Sequence, residues 1–223
     1  MNIGVVIFPG SNCDRDLYRA FKKFDPKQIH FLWHKSPELP KGLDVCAIPG
    51  GFSFGDYLRT GAIAARSPII NSIVEFAKTG GVVLGICNGF QILCECGLLP
   101  GVLVRNQSTR FICRDQELIV CNRDTLFTNL YNENEEISFP IAHHDGNYLV
   151  DSETHKMLAD NGQIAFKYDV NNPNGSVGNI AGVYSKNYRI LGVMPHPERR
   201  VDYRTGGDDG ARLFKSVCQG LAG

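Results

Sequence analysis

The chain has 223 residues, of which 23 are Lys or Arg and 23 are Asp or Glu, so its formal charge at pH 7 is zero. Because this composition gives no broad positive field, it argues against nucleic acid and against an anionic membrane as partners. Hydrophobic residues make up 43% of the chain, which suits one α/β domain with a buried core, and we expect that domain to span residues 1–223.

The first apolar run, at residues 3–8, predicts a strand. No basic segment precedes it, it is shorter than the apolar core of a signal peptide, and it ends at Pro9 and Gly10. No run in the sequence approaches the length of a membrane span. We therefore expect a cytoplasmic protein.

The first half of the chain alternates between strand and helix patterns. The next predicted elements are a helix at 14–24, strands at 28–33 and 45–48, a helix at 69–78 and a strand at 82–86. The strand at 82–86 is apolar throughout, which is typical of a strand buried on both faces. Such alternation predicts an α/β fold with a mostly parallel central sheet flanked by helices, as in flavodoxin-like proteins.

Shorter strand patterns follow in the second half. They are predicted at 111–114, 117–121, 137–141 and 163–168. Short strands without intervening helices indicate a short antiparallel extension of the sheet. The apolar run before His196 predicts one more strand, and residues 211–219 predict a C-terminal helix.

Cys87 stands between Gly85 and Gly89, where the strand pattern at 82–86 changes into a helical pattern. A side chain on a tight strand-to-helix turn stands clear of the sheet, and glycines two residues to either side relieve the crowding there. The free N–H groups at the start of the next helix also stabilise a thiolate. Cys87 is therefore the candidate nucleophile.

His196 and Glu198 are its candidate partners, in a proline-containing turn that follows the last predicted strand. Residues two apart in extended backbone point to the same side, so the Glu198 carboxylate can approach the imidazole. The imidazole would take the thiol proton and pass it to the leaving group, while the carboxylate fixes its tautomer. The pattern predicts a Cys-His-Glu triad for acyl transfer.

Cys87 also has a simpler interpretation as a buried structural thiol, which is the commoner role of a free cysteine. The pairing with the His196 turn favours catalysis. The spacing of the cysteines matches no zinc motif, so we expect reduced thiols and no metal site. The eight cysteines are Cys13, Cys46, Cys87, Cys94, Cys96, Cys113, Cys121 and Cys218.

A second glycine-rich segment, residues 48–56, follows a predicted strand. The backbone N–H groups of Gly51 and of Asn88, the residue after the nucleophile, are candidate donors of an oxyanion hole. The alternative is that the glycines only turn the chain. Because no Gly-Lys-Ser/Thr follows and no G-x-G-x-x-G opens a helix, we expect no nucleotide site and no cofactor in this chain.

The motifs GICNG at 85–89 and HPE at 196–198 resemble the triad of class I glutamine amidotransferases. The segments PGGFSFGDYLR at 49–59 and NQSTRFICR at 106–114 resemble, more narrowly, the small glutaminase subunits of phosphoribosylformylglycinamidine synthase. The resemblance covers nearly the whole chain. It implies the class I glutamine amidotransferase fold in a single type 1 domain.

The resemblance also implies a reaction and partners. Cys87 would attack the side-chain amide of glutamine, release ammonia and leave a glutamyl thioester that water hydrolyses. A large synthetase subunit, with a small accessory subunit, would receive the ammonia and use ATP and Mg²⁺ to convert formylglycinamide ribonucleotide into the amidine, in purine biosynthesis.

By the same resemblance, Gln91 and His143 are candidates for glutamine binding. The family commonly has Gly-Glu-Gly where this chain has His144, Asp145 and Gly146. The adjacent imidazoles of His143 and His144 could suggest a metal, but neighbouring residues on a strand face opposite sides, which argues against one.

Two alternatives stay open from the sequence. One is a cysteine hydrolase of the DJ-1 and PfpI group. That group also places a cysteine on a tight strand-to-helix turn, called an elbow, but its supporting glutamate typically comes from early in the chain. The other is a scaffolding subunit that has lost catalysis. Glu198 beside His196 argues against the first, and the intact set of Cys87, His196 and Glu198 argues against the second.

Overall fold

The computed structural model describes residues 1–221. The strands are β1 Asn2–Ile7, β2 Gln28–Trp33, β3 Val45–Ile48, β4 Val82–Ile86, β5 Val102–Val104, β6 Ile112–Val120, β7 Glu136–His143, β8 Asn147–Leu149, β9 Ile164–Tyr168, β10 Ile180–Tyr184 and β11 Ile190–Val193. The helices are α1 Asp14–Lys22, α2 Pro68–Lys78, α3 Asn88–Glu95, α4 Ser152–Asp160 and α5 Ala211–Gly220.

Within residues 1–221, nine strands form one sheet in the order β2-β1-β3-β4-β11-β10-β9-β6-β7. In this order, neighbouring strands are parallel from β2 as far as β11. From β11 to the edge strand β7, neighbouring strands are antiparallel. The predicted fold class, a mostly parallel central sheet with helices and an antiparallel extension, is confirmed.

The parallel part of the sheet forms the centre of the core. Strands β3, β4 and β11 are apolar and buried along their whole length, as expected where helices cover a parallel sheet. Helix α3 packs against β4 and β11, and α1 packs against β1 and α5. The rings of Phe21 and Phe214 meet edge to face at 5.0 Å between α1 and α5. No helix among residues 1–221 is long and apolar enough to cross a membrane.

The antiparallel part differs from the prediction in detail. The two strands predicted at 111–114 and 117–121 are one strand, β6. It pairs without interruption with β7 from Ile112 opposite His143 to Ile119 opposite Glu136. Asp115 and Gln116, which separate the two predicted strands, are included in this pairing.

Other elements also differ from the prediction. The predicted helix at 14–24 ends earlier, at Lys22. Strands β5, β8 and β10 and helix α4 were not among the predicted elements.

Strand register brings three loops to one edge of the sheet. Gly85 of β4 lies opposite Gly192 of β11 on one side and opposite Ile48 of β3 on the other. Because the three strands are parallel, their carboxyl ends lie side by side. The segments that follow them, which contain Gly50, Cys87 and His196, are therefore neighbours in space.

Replacing Gly192 by Ala tests the packing of α3 on this sheet. A Cβ at Gly192 would lie 2.1 Å from Cδ2 of Phe90, a fully buried side chain on α3. We expect Gly192→Ala to lower the free energy of unfolding by about 1–3 kcal/mol, as overpacked cores do. Urea unfolding measures the loss. The double variant Gly192→Ala/Phe90→Leu should recover part of it because the two sites are in contact, and additive losses would contradict the packing described here.

Candidate active site

Cys87 occupies a strained turn between β4 and α3. Its backbone has φ 50° and ψ −104°, a positive φ that a non-glycine residue rarely adopts. Such conformations cost of order 1–3 kcal/mol and persist where the surroundings fix them. Here the Cys87 N–H donates to the Val193 carbonyl at 2.8 Å, and the Cys87 carbonyl accepts from the Gln91 N–H at 3.1 Å. The elbow is thus fastened to β11 and to its own helix.

The two glycines around Cys87 are required by close contacts. A Cβ at Gly89 would lie 2.1 Å from the carbonyl oxygen of Ile48, at the end of β3. A Cβ at Gly85 would lie 2.5 Å from a methyl group of Leu93 and 2.7 Å from the Gly89 carbonyl oxygen. The start of α3 can therefore approach the sheet only because both positions lack side chains.

His196 and Glu198 form a buried pair beside this elbow. The imidazole Nδ1 and the carboxylate Oε1 are 2.6 Å apart, with both side chains almost fully enclosed. The backbone at 197–199 is a 3-10 turn rather than extended, so the turn itself brings the carboxylate to the ring. The His196 N–H donates to the Pro140 carbonyl at 2.8 Å, which fixes the turn to β7.

Gly50 leaves room for the thiol and the imidazole to meet. A Cβ at Gly50 would lie 2.7 Å from Cε1 of His196 and 3.3 Å from Cβ of Cys87. Nε2 of His196 is buried and forms no hydrogen bond within residues 1–221, so it is available to exchange a proton. The structure thus brings together the three residues predicted as a triad.

The charge on His196 is set by its neighbours. Burial disfavours the protonated ring, but the Glu198 carboxylate and the Cys87 sulfur outweigh it, and the pKa of His196 lies well above its usual 6.5. A protonated imidazole beside the Cys87 sulfur is placed to donate a proton to a leaving group. The arrangement is suited to nucleophilic attack at neutral pH.

The two predicted oxyanion donors are both free. In the part of the chain that the structure describes, the backbone N–H groups of Gly51 and Asn88 donate to no other group. Gly51 has φ 141°, and a Cβ there would lie 2.7 Å from the Asn12 backbone nitrogen. Gly51 lines a cavity with Cys87, and Asn88 is the first residue of α3. Their role in an oxyanion hole stays a prediction.

Amide side chains connect the loops around the elbow. Oδ1 of Asn88 accepts from the Ser53 N–H at 3.3 Å, and its Nδ2 donates to Oε1 of Gln91 at 2.8 Å. Nε2 of Gln91 in turn donates to the Asp145 carbonyl at 2.7 Å. Gln91 therefore lies at the site and also holds the loop that contains Asp145. Its role in glutamine binding stays a prediction.

His143 is buried on the same side of Cys87 as Gln91. Its Nδ1 lies 3.1 Å from Oδ1 of Asn106, whose Nδ2 donates to the carbonyls of Arg110 and His143. Because Oδ1 can only accept, Nδ1 of His143 carries the proton and Nε2 is an acceptor. Burial, with His196 nearby, lowers the pKa of His143 to about 4, so the ring is neutral at pH 7.

Residues 144–146, where the sequence departs from the Gly-Glu-Gly pattern of the family, form defined contacts in the structure. His144 bridges Asp145 Oδ2 and the Thr109 carbonyl, each at 3.1 Å. A Cβ at Gly146 would lie 2.5 Å from Nδ1 of His143, so the position shared with the family pattern is the one where only glycine fits. The His144 side chain ties its loop to the segment before β6.

Sequence reasoning missed Cys13, which lies on the Glu198 side of the imidazole. Its sulfur is 3.9 Å from Nδ1 of His196 and accepts from Nη2 of Arg199 at 3.1 Å. Burial raises the pKa of Cys13, which keeps it a neutral thiol. The sequence did contain one signal for this position of Cys13. Cys13 lies in the loop after β1, and the parallel neighbour of β1 in the sheet, β3, leads into Gly50.

Cys13, His196 and Glu198 offer ligand atoms within 4.8 Å of one another. The electrostatics oppose a metal ion at this position, because the Arg199 guanidinium lies against the Cys13 sulfur and the imidazole Nδ1 is bonded to Glu198. The cluster is better explained as the support of the imidazole.

Comparisons with known proteins agree with this geometry. A family model described as a CobB/CobQ-like glutamine amidotransferase domain matches residues 1–206. Phosphoribosylformylglycinamidine synthase subunit PurQ of Ruegeria sp. (strain TM1040) is 54% identical over 219 residues, which cover 97% of each chain. The subunit of the same name from Cereibacter sphaeroides is 54% identical over 222 residues, which cover 100% of this chain and 99% of that one. A chain of the solved PurLQS structure from Thermotoga maritima superposes with a TM-score of 0.90 at 42% identity, covering 99% of this chain and 98% of that one.

Cysteine labelling tests which thiol is the nucleophile. A glutamine-derived chloromethyl ketone near neutral pH should modify Cys87 much faster than Cys13 or Cys113, which line the same cavity, because burial raises the pKa of the Cys13 thiol and Cys113 lies within β6, away from a helix N-terminus. Peptide mapping over time measures the three rates. Iodoacetamide is the control reagent, since it should also modify the exposed Cys113. Equal labelling of the three by the ketone would contradict the assignment.

Glu198→Gln tests the electrostatic support of the imidazole. The substitution removes the carboxylate charge that raises the pKa of His196, so the ring should lose its proton at a lower pH than in the parent protein. An NMR titration of the histidine ring signals measures the change. Glu135→Gln, at a carboxylate paired with Arg212, is the matched control and should leave the His196 titration in place. An unchanged titration in Glu198→Gln would show that the carboxylate does not set the charge.

Proposed function

This chain belongs to the family of CobB/CobQ-like glutamine amidotransferase domains, and on that premise we propose that it is the glutaminase subunit of phosphoribosylformylglycinamidine synthase. The observation that carries the proposal is Cys87 on its strained elbow beside the buried pair of His196 and Glu198. The relatives at 54% identity cover nearly the full chain and favour this function over a cysteine hydrolase of another group.

The geometry supports a two-step hydrolysis. The Cys87 sulfur attacks the amide carbon of glutamine, and the imidazole of His196 transfers the thiol proton to the departing nitrogen, so that the C–N bond breaks and ammonia leaves. Water then attacks the glutamyl thioester. The same imidazole accepts its proton and returns it to the sulfur as the C–S bond breaks, giving glutamate. The N–H groups of Gly51 and Asn88 would stabilise the oxyanion in both steps.

We infer that the ammonia is consumed by another chain, because the sequence of this one carries no phosphate-binding loop. The similar structure from Thermotoga maritima is called PurLQS. We therefore propose a large synthetase subunit as partner, with ATP and Mg²⁺ bound there, and a small accessory subunit in the same complex. A biosynthetic role of this kind also supports the proposed location in the cytoplasm.

Cys87→Ala tests the proposed function in the assembled complex. The variant should lose glutamine-dependent synthesis by several orders of magnitude, as removal of a nucleophile does, while synthesis from added ammonium salt continues at the synthetase site. Product formation with each nitrogen source measures both. Cys218→Ala on α5 is the matched control and should keep both activities. Undiminished glutamine use by Cys87→Ala would refute the assignment.

A further inference from the structure

Two further cysteines line the cavity beside Cys87. The cavity has a volume of about 170 Å³, and Cys13 and Cys113 lie on its wall together with the nucleophile. Cys13 comes from the loop between β1 and α1, whereas Cys113 lies on β6. Thiols from three separate elements therefore border one space, which is large enough for molecules of the size of water. The proposed glutaminase reaction uses only one of them.

Cys13 and Cys87 face each other across Gly50. A Cβ at Gly50 would lie 3.3 Å from the Cys13 sulfur, 3.3 Å from the Cys87 Cβ and 2.7 Å from Cε1 of His196. The Cys13 N–H also donates to the Gly50 carbonyl at 3.3 Å, so the Cys13 loop is fastened beside this space. A side chain at position 50 would separate the two cysteines, and its absence leaves them within reach of each other.

Two cationic groups lie against the Cys13 sulfur. Nη2 of Arg199 is 3.1 Å away, and Nδ1 of the protonated His196 ring is 3.9 Å away. Burial raises the pKa of Cys13, so at rest it is a neutral thiol with low reactivity toward outside reagents. When its proton leaves during an attack, both cations stabilise the negative charge that develops on the sulfur. Cys13 is therefore suited to attack a neighbouring sulfur atom.

We propose that Cys13 is the resolving thiol of Cys87, and that peroxide converts the pair into a disulfide that reversibly stops the glutaminase. The inference rests on the proposed role of Cys87 as nucleophile and adds an oxidative modification to it. A sulfur atom bonded to another sulfur cannot attack the amide carbon of glutamine. The same side chain thus carries the reaction and reports the presence of an oxidant.

The chemistry takes two steps and consumes one peroxide. The Cys87 sulfur attacks one oxygen of hydrogen peroxide, the O–O bond breaks, and the departing hydroxide leaves as water with the thiol proton. The Cys13 sulfur then attacks the sulfur of the resulting Cys87 sulfenic acid. The S–S bond forms, the S–O bond breaks, and the hydroxyl group leaves as water with the Cys13 proton. Two thiols are oxidised to one disulfide, and the peroxide is reduced to two water molecules.

Cys113 is the competing partner for Cys87. It lies opposite Ala142 in the pairing of β6 with β7, and the Cys87 sulfur is 3.9 Å from the Ala142 carbonyl oxygen. Its backbone is held in a paired strand, whereas Cys13 lies in a loop, which can shift more readily to close a bond. The open space over Gly50 and the two cations are also on the Cys13 side. These contacts favour Cys13.

The disulfide would protect the nucleophile as well as silence it. A sulfenic acid that meets no second thiol is oxidised further to sulfinic and sulfonic acids, which small thiols do not reduce. A disulfide, in contrast, is opened by exchange with a small thiol, which restores both cysteines. Recovery of the enzyme after oxidation should therefore depend on Cys13.

Disulfide mapping of the full chain tests the proposal. The reduced chain is treated with excess hydrogen peroxide, catalase removes what remains, and iodoacetamide blocks free thiols before digestion with trypsin. The peptide 1–15, which contains Cys13, should be linked to the peptide 79–105, which contains Cys87. Because 79–105 also contains Cys94 and Cys96, Cys87→Ala is treated in parallel and should lose the link.

Activity shows whether the link is the switch. The treated chain is assembled with untreated synthetase partner, and its glutamine-dependent synthesis should fall at least about 10-fold because the nucleophile is blocked. Dithiothreitol should restore most of it. Cys13→Ser should also be inactivated, but dithiothreitol should restore little of its own starting activity, because Cys87 proceeds to sulfinic acid. Cys113→Ser, at the other thiol on the cavity, is the matched control and should recover as the parent does.

Several outcomes would overturn the inference. They are a link from Cys87 to Cys113, no link between the two peptides in the parent, a link that persists in Cys87→Ala, and equal recovery of Cys13→Ser and the parent. If Cys13→Ser does not fold, Cys13→Ala takes its place, and the mapping of the parent chain decides by itself. A reduced parent complex that forms no product from glutamine would instead refute the proposed function, which the mapping does not test.

Discussion

The parallel pairing of β3, β4 and β11 is the constraint on which the whole site depends. Gly85 lies between Ile48 and Gly192 in register, so the three strands end at one level and their loops share one edge. The glycines at this edge let the backbones approach within van der Waals contact, with Gly89 against the Ile48 carbonyl. A side chain at any of these positions would separate the elements that carry the thiol and the imidazole.

The loops at this edge are coupled by amide side chains more than by apolar packing. Asn88 bonds the loop before Asp56, and Gln91 bonds the loop of Asp145. Loops are otherwise the mobile parts of a domain, so fixing two of them to one helix gives the site a defined shape. Both amides lie on the first turn of α3, next to the nucleophile that they surround.

The charges of the site balance one another where the side chains are buried. Buried charges are costly unless they are paired, and the His196 ring meets this condition through Glu198 on one side and the Cys87 sulfur on the other. Cys13 and Arg199 complete the surroundings on the Glu198 side. His143, which lines a small cavity with Cys87, stays neutral because burial and the charge on His196 both oppose its protonation. The two histidines of the site therefore differ in charge: the His196 ring is protonated and the His143 ring is neutral. The difference arises because the Glu198 carboxylate lies beside His196.

The sequence by itself determined the central strands and the choice of Cys87, His196 and Glu198 as the candidate triad. The apolar runs at β4 and β11 lead into the turns that contain Cys87 and His196, so local pattern was sufficient for this choice. The joining of the predicted strands at 111–114 and 117–121 into β6 was decided by long-range pairing with β7, which no local pattern reports. The same holds for Cys13, since its position beside His196 depends on strand order and loop conformation. Sequence patterns fix what each segment is, whereas the tertiary structure alone decides which distant segments meet.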